Sequence, residues 1–270
     1  MEKLSSTPFA GKEEYKFVEK KKDGKVYSDC SVKLINNLLE RNILTSIDEE
    51  IMNVLFRYKI LNYVLIDNLI ECNNLSKHLN KLREYGILLY YVNPTGQGVY
   101  MLSEGAIIFK ELEKGIKYKR KPAEKVDLIK GPLVNRYICS NAAFINAHIR
   151  HENKMKKLRP KKTYLRKINI KGKFTNFYFT FVPVRRNEKN YDRIFEGLYE
   201  MEINSQNANY LVLVCEDFKH FDEMNDEINN YNVKIPCVLY VTDRGAYDNA
   251  FDNLYMKEQD RYVSINFSKM

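Results

Sequence analysis

Polar and cationic side chains recur at helical spacing between residues 75 and 84. With the leucines of this segment turned inward, its outward-facing residues are Ser76, Lys77, Asn80, Lys81 and Glu84. Asparagine and lysine can hydrogen-bond to nucleobase edges, and serine and lysine can bind phosphates. We therefore predict that Ser76, Lys77, Asn80 and Lys81 contact nucleic acid. The alternatives are a solvated helix face and a face that binds protein.

A second concentration of cations lies further along the chain. Residues 150–173 contain eleven lysines and arginines and a single acid. Each phosphate neutralised by such a cation releases counterions, so that log K for duplex DNA falls with log salt by about 0.9 per contact. The predicted phosphate-binding residues are Arg150, Lys154, Lys156, Lys157, Arg159, Lys161, Lys162, Arg166 and Lys167. The alternatives are a solvated surface and the protection of an edge strand by lysine.

The charge of the chain is unevenly distributed. Its 270 residues carry a formal net charge of +9. Residues 116–190 hold 21 Lys+Arg and 4 Asp+Glu, a net of +17, whereas residues 191–270 hold 7 and 15, a net of −8. This asymmetry predicts an anionic partner at the basic stretch, although the two blocks would also neutralise each other if they packed together. We expect the acidic block to face a protein partner or a second copy.

Residue types that support catalysis do not form a recognisable set. The five cysteines include no Cys-x-x-Cys pair, and no Walker-type or Gly-x-Gly-x-x-Gly loop is present. Metal-dependent hydrolysis needs two or three converging carboxylates, but the predicted strands 163–170 and 174–185 contain no acid. Asp192, Glu196 and Glu200 lie on one face of a predicted helix and are interpreted as solvated. We therefore expect no enzymatic activity, no cofactor and no metal.

Secondary-structure signals place the first polar group on the third of three helices. Ser46 and Glu49 form a capping-box pattern at the start of the first helix, Asn74 can cap the third, and Gly86 can end it. The predicted elements are a helix from residue 46, helices 64–70 and 75–85, strands 87–92 and 99–102, and a helix 103–112. This order resembles that of winged helix-turn-helix domains, in which the third helix enters the major groove and the hairpin touches the backbone.

The remaining segments complete an α+β architecture. Residues 1–45 are predicted as a tail, a hairpin over 15–28 and a helix over 31–41, the winged helix extends over 46–115, and 116–132 form a basic linker. In the α/β domain, 133–270, the predicted elements are helix 135–157, strands 163–170 and 174–185, helix 191–203, strand 210–215, helix 221–231, strand 235–242, helix 247–255 and strand 262–267. Their order resembles a degenerate restriction-endonuclease-like fold, with helices covering both faces of the sheet.

The whole layout resembles the replication-relaxation family of plasmid and conjugative-element proteins. The resemblance rests on residues 79–87 (LNKLREYGI), residues 99–105 (VYMLSEG) and the order of the C-terminal elements. It implies DNA binding in plasmid or mobile-element replication, transfer or regulation, without an established catalytic site. The acids that often appear in the family's hairpin strands are absent here.

These observations predict a non-catalytic protein that binds duplex DNA, with a homodimer across two half-sites as the expected assembly. The unpaired cysteines indicate a reducing, cytoplasmic compartment. The longest apolar runs are far short of a membrane span, and no apolar face accompanies the basic segment, so no membrane partner is expected. The alternatives are a divalent-metal-dependent nuclease of restriction-endonuclease-like fold and a scaffold whose winged helix binds protein.

Overall fold

The computed structural model describes residues 18–19, 30–93, 96, 98–116, 125–140, 144, 147–152, 165–171, 176–186, 208–230, 237–242 and 253–266. The chain divides into an N-terminal unit, Pro8–Pro132, and a C-terminal unit built on Leu133–Met270. Each unit combines helices with its own sheet, so the architecture is α+β. No helix among the described residues has both the length and the apolar character needed to cross a membrane.

The N-terminal unit places four helices before a hairpin and one after it. Its elements are β1 (Val18–Glu19), α1 (Val32–Glu40), α2 (Ser46–Tyr58), α3 (Tyr63–Leu69), α4 (Leu75–Glu84), β2 (Leu88–Val92), β3 (Gly98–Leu102) and α5 (Glu104–Glu113). Side-chain caps fix two of the helix starts, because Ser31 accepts from the Leu34 amide and Asn62 from the Leu65 amide. Gly86 follows α4 with a φ of 66°, the left-handed conformation that commonly ends a helix.

The sheet of this unit is antiparallel, in the order β1–β2–β3. Tyr90 lies directly opposite Tyr100, and Leu61 forms a further backbone bridge to Tyr100 just before α3 begins. The opposite face of the hairpin packs Val99 and Met101 into an apolar cluster with Ile60 and Leu128. One face of the hairpin is therefore committed to the core, and the tyrosine pair lies on the other.

The helices of this unit bury one apolar face each. The side chains in its interior include Ile35, Leu38, Ile51, Met52, Leu55, Phe56, Leu65, Ile66, Leu75, Leu79, Leu82 and Ala106. Helix α1 packs against α5, and the backbone contact between them is close. A Cβ atom on Gly105 would lie 1.7 Å from the carbonyl oxygen of Cys30, so only glycine fits at this point.

The C-terminal unit is built on a seven-stranded mixed sheet in the order β10–β9–β8–β7–β6–β5–β4. Its elements are α6 (Lys125–Ser140, which begins in the N-terminal unit), β4 (His148–Glu152), β5 (Leu165–Lys171), β6 (Asn176–Pro183), β7 (Ala208–Cys215), α7 (Phe218–Asn230), β8 (Val238–Thr242), β9 (Asn253–Glu258) and β10 (Arg261–Asn266). Strands β6, β7 and β8 run parallel, and the other neighbours pair antiparallel. Their apolar residues, with Phe221 and Met224 of α7, form the core.

Several sequence-based boundaries differ from the structure. The helix predicted over 135–157 is wrong in its second half, because His148–Glu152 form β4 and Ile149 is buried opposite Ile168 of β5. The helix predicted over 247–255 is wrong at its end, where residues 253–255 belong to β9. Residues 125–132 of the predicted linker are the first half of α6. The predicted helix 191–203 lies outside the described residues, as does all of the predicted hairpin 15–28 except β1.

Candidate nucleic-acid interface

Helix α4 presents a polar face to solvent. Leu75, Leu79 and Leu82 are buried as their spacing predicts. Around them, the side chains of Ser76, Lys77, Asn80 and Glu84 are exposed. Three of the four residues predicted to contact nucleic acid on this helix are therefore accessible together on one surface.

Lys81, the fourth predicted residue, does not lie on that exposed face. Its ammonium group forms an ion pair with the carboxylate of Asp48, whose side chain is completely buried. The same ammonium donates to the carbonyl oxygen of Ile43 at 3.1 Å. The expectation that Lys81 points freely outward is wrong, because the buried carboxylate needs a cationic partner. A contact between Lys81 and DNA stays a prediction.

Asp48 is the centre of a hydrogen-bonded group that we call the Asp48 network: Thr45, Asp48, His78 and Lys81. Asp48 Oδ2 accepts from the Thr45 amide at 2.7 Å and from Thr45 Oγ1 at 2.8 Å. His78 Nδ1 lies 2.9 Å from Asp48 Oδ1. Thr45 is the N-cap of α2 and Asp48 its third residue, so the capping box lies one position before the predicted Ser46 and Glu49 pair.

The electrostatics of this network favour an ionised Asp48. Burial by itself would raise the pKa of the Asp48 carboxyl group, but the hydrogen bonds from Lys81, Thr45 and His78 together hold it below its ordinary value. Since the carboxylate is ionised and accepts only, His78 Nδ1 is the donor of their shared hydrogen bond. The network thus ties the α4 side chains of His78 and Lys81 to the first turn of α2.

Next to the exposed face of α4 lies a group of rings and one guanidinium. We call Tyr63, Arg83, Tyr90 and Tyr100 the tyrosine–arginine surface. The Arg83 guanidinium carbon is 4.7 Å from the centre of the Tyr90 ring, and the centres of Tyr90 and Tyr100 are 4.6 Å apart. Arg83 also donates to Asn80 Oδ1 at 3.4 Å, a long hydrogen bond that joins this surface to α4. Burial raises the pKa of Tyr100 to about 12, with smaller contributions from Tyr90 and Tyr63 and an opposing one from Arg83.

The second predicted group of cations is described only in part. Arg150 lies on β4, and Arg166 and Lys167 lie on β5, at one edge of the large sheet. The register sets Arg150 opposite Lys167, so this edge does concentrate basic residues. The other predicted residues of the segment, Lys154, Lys156, Lys157, Arg159, Lys161 and Lys162, lie outside the described residues.

Acidic residues do meet in the C-terminal unit, but around an arginine. Arg186, just after β6, forms a two-pronged pair with Asp217 at 2.6 and 2.8 Å and donates to Glu223 at 2.8 Å. The hydrogen bond to Asp217 is the main reason that the pKa of Arg186 lies even above its ordinary value. Asp217 also accepts from the His220 amide in the first turn of α7. These contacts fasten the end of β6 to the start of α7, and no metal-type cluster of acids, histidines or cysteines occurs among the described residues.

The sequence-based reasoning missed the Asp48 network and the tyrosine–arginine surface. One local signal was available, since Asp48 stands three residues after Thr45, which is the spacing of a capping box. The partnership with His78 and Lys81 spans about thirty residues and left no local pattern.

The sequence matches no known protein-family model and no curated protein, and the fold matches no solved structure.

Proposed function

We propose that residues 46–112 form a winged helix that binds duplex DNA through the exposed face of α4. The observation that carries the proposal is the joint exposure of Ser76, Lys77 and Asn80 on a helix whose opposite face is held by buried leucines. The order α2–α3–α4–β2–β3 is that of winged helices, in which such a helix enters the major groove. Lysine and asparagine supply donors for guanine and adenine edges.

The net charge of residues 46–115 does not by itself favour DNA binding. Residues 46–115 carry 7 Lys+Arg and 9 Asp+Glu, a net of −2, which is unfavourable for a polyanion. Asp48 and Lys81 neutralise each other, and the remaining 6 Lys+Arg and 8 Asp+Glu still give a net of −2. Among the exposed residues of α4, Lys77 is the cation and Glu84, seven residues further along, is the acid, so the proposal rests on the residue types of this face and not on the charge of the segment.

The test is a titration of a fluorescently labelled duplex by anisotropy at several salt concentrations. Replacing Lys77 with alanine removes one phosphate or base contact, so we expect weaker binding and a salt slope smaller by about 1. Asn80→Ala should weaken binding to the preferred sequence more than to random duplex, because asparagine reads base edges. Lys33→Ala is the matched control, since Lys33 is an exposed lysine of α1 in the same unit.

Two results would overturn the proposal. The first is an absence of duplex binding by the full chain at low salt. The second is binding that responds equally to Lys77→Ala and Lys33→Ala, because the exposed face of α4 would then make no specific contribution to DNA binding. Incubation of plasmid DNA with the full chain and Mg²⁺ or Mn²⁺ tests the nuclease alternative, and we expect the DNA to stay intact.

The basic segment extends the same proposal to the C-terminal unit. Arg150 and Lys167 are adjacent across β4 and β5, and we propose that they contact phosphates. Reversing the charge of Lys156, Lys157, Lys161 and Lys162 should weaken DNA binding and flatten its salt slope. A restriction-endonuclease-like relationship of this unit, a homodimer and a role in plasmid or mobile-element biology are further parts of the proposal, and they rest on the sequence resemblances alone.

A further inference from the structure

The tyrosine–arginine surface combines one exposed ring with two half-buried rings and a guanidinium. Tyr63 is 39 % exposed at the first turn of α3, although most large apolar side chains of the N-terminal unit are buried. Tyr90 and Tyr100 are half-buried and contact each other across the hairpin. The contact between Tyr90 and Tyr100 stabilises the hairpin, whereas the exposed ring of Tyr63 and the Arg83 guanidinium provide groups that can stack on a planar ligand.

The surface is continuous with the exposed face of α4. Arg83 stands over Tyr90 and donates to Asn80, one of the residues placed on DNA by the proposed function. Tyr90 extends the rings toward the end of the hairpin, because its ring lies over Gly98, the first residue of β3. Tyr63 is brought near by the backbone bridge between Leu61 and Tyr100. A DNA strand that follows α4 would therefore meet these rings next.

The bases of an intact duplex are stacked on each other and offer no face to a protein ring. Aromatic rings and arginine planes stack instead on bases that are unpaired. We propose that the tyrosine–arginine surface stacks an unpaired DNA base, so that the preferred ligand is a duplex that opens into a single strand. This inference rests on the proposed function, since α4 must hold the paired part.

The experiment compares two labelled DNAs with the full chain: a blunt duplex of two annealed strands, and the same duplex carrying a five-nucleotide single-stranded tail. We expect the tailed DNA to bind about tenfold more tightly, which is the typical contribution of one stacked base. Tyr63→Ala should abolish most of this preference and leave the blunt-duplex affinity within about twofold. Tyr63→Phe keeps the ring and should keep the preference, and Val64→Ala is the control at the neighbouring exposed residue.

A second readout follows the base itself. 2-Aminopurine at the first unpaired position should change its fluorescence on binding to the wild type and to Tyr63→Phe, and much less on binding to Tyr63→Ala.

Equal affinity for blunt and tailed DNA would overturn this inference, whereas the proposed function would stand as long as Lys77→Ala weakens DNA binding. A tail preference unaltered by both Tyr63→Ala and Arg83→Ala would also overturn it. Absence of any DNA binding would overturn both proposals.

Discussion

Replacing Asp48 with alanine should remove the hydrogen bonds and the ion pair that join α4 to the first turn of α2. The substitution removes a buried carboxylate that accepts from Thr45, His78 and Lys81. Hydrogen bonds to charged groups contribute about 1.5–3 kcal/mol each, and loss of a cap costs about 1 kcal/mol. The side chains of His78 and Lys81 are 16 % and 24 % exposed and can recover water, so the loss falls well below the sum of these values.

We therefore expect Asp48→Ala to lower the free energy of unfolding of the N-terminal unit by roughly 3 kcal/mol, close to the lower limit for breaking a buried pair. For a unit of this size that corresponds to a fall in Tm of about 10 °C. Circular dichroism melts and urea unfolding measure both quantities. Glu50→Gln, an exposed acid on the same helix, is the control with the same change of charge. A Tm equal to that of the control would refute the structural role of the network.

The same network predicts how stability depends on acid. The pKa of Asp48 is lower in the folded protein than in the unfolded chain. The stability that ionised Asp48 contributes is therefore fully present above the unfolded pKa of about 3.9 and is lost as the pH falls through the pKa of the folded protein. Asp48→Asn should lose less stability than the wild type between about pH 4 and pH 2. Parallel curves for the two proteins in urea titrations across this range would contradict the assignment.

Two further predictions concern other parts of the N-terminal unit. Gly105→Ala should lower its Tm far more than Gly115→Ala, because the Cβ added at Gly105 would collide with the Cys30 carbonyl, whereas a Cβ added at Gly115 would meet nothing within 4 Å and only the φ of 61° opposes it. Similar melts for the two variants would contradict the close contact. Tyr100 has a folded pKa of about 12, above the unfolded value of about 10, so stability is lost as the pH rises from 10 toward 12. Tyr100→Phe should lose less stability over that interval, and an unchanged pH profile in urea titrations would contradict the pKa assignment.

Regular spacing explains why the helices of the N-terminal unit could be predicted. Leu75, Leu79 and Leu82 repeat with the helical period, and that period correctly assigned the buried leucines of α4 and every predicted outward residue except Lys81. The spacing could not identify Lys81 as a partner of Asp48. The helical period shows on which side of its own helix a residue lies, but it does not show which part of another helix packs against that side.

Pairing between β4 and β5 explains the main error in the C-terminal unit. Phe144, Ile145 and Ile149 follow one another at distances that suit a helix, so their pattern favoured one. In the fold, residues 148–152 pair along β5, and Ile149 gains its burial opposite Ile168. Burial and ladder hydrogen bonds supplied by the next strand of the chain outweigh a local preference. The parallel strands were predictable because their apolar runs are nearly continuous.

The short strand β1 has a practical consequence for any shortened form of this protein. Val18 and Glu19 occupy the outer edge of β2, where they pair with Val92 and Tyr91. A chain that begins after residue 19 would leave those amide and carbonyl groups of β2 open, and an open strand invites pairing with another molecule. Self-association of such a fragment would then report the missing strand, and it should not be taken for the natural assembly of the full-length chain.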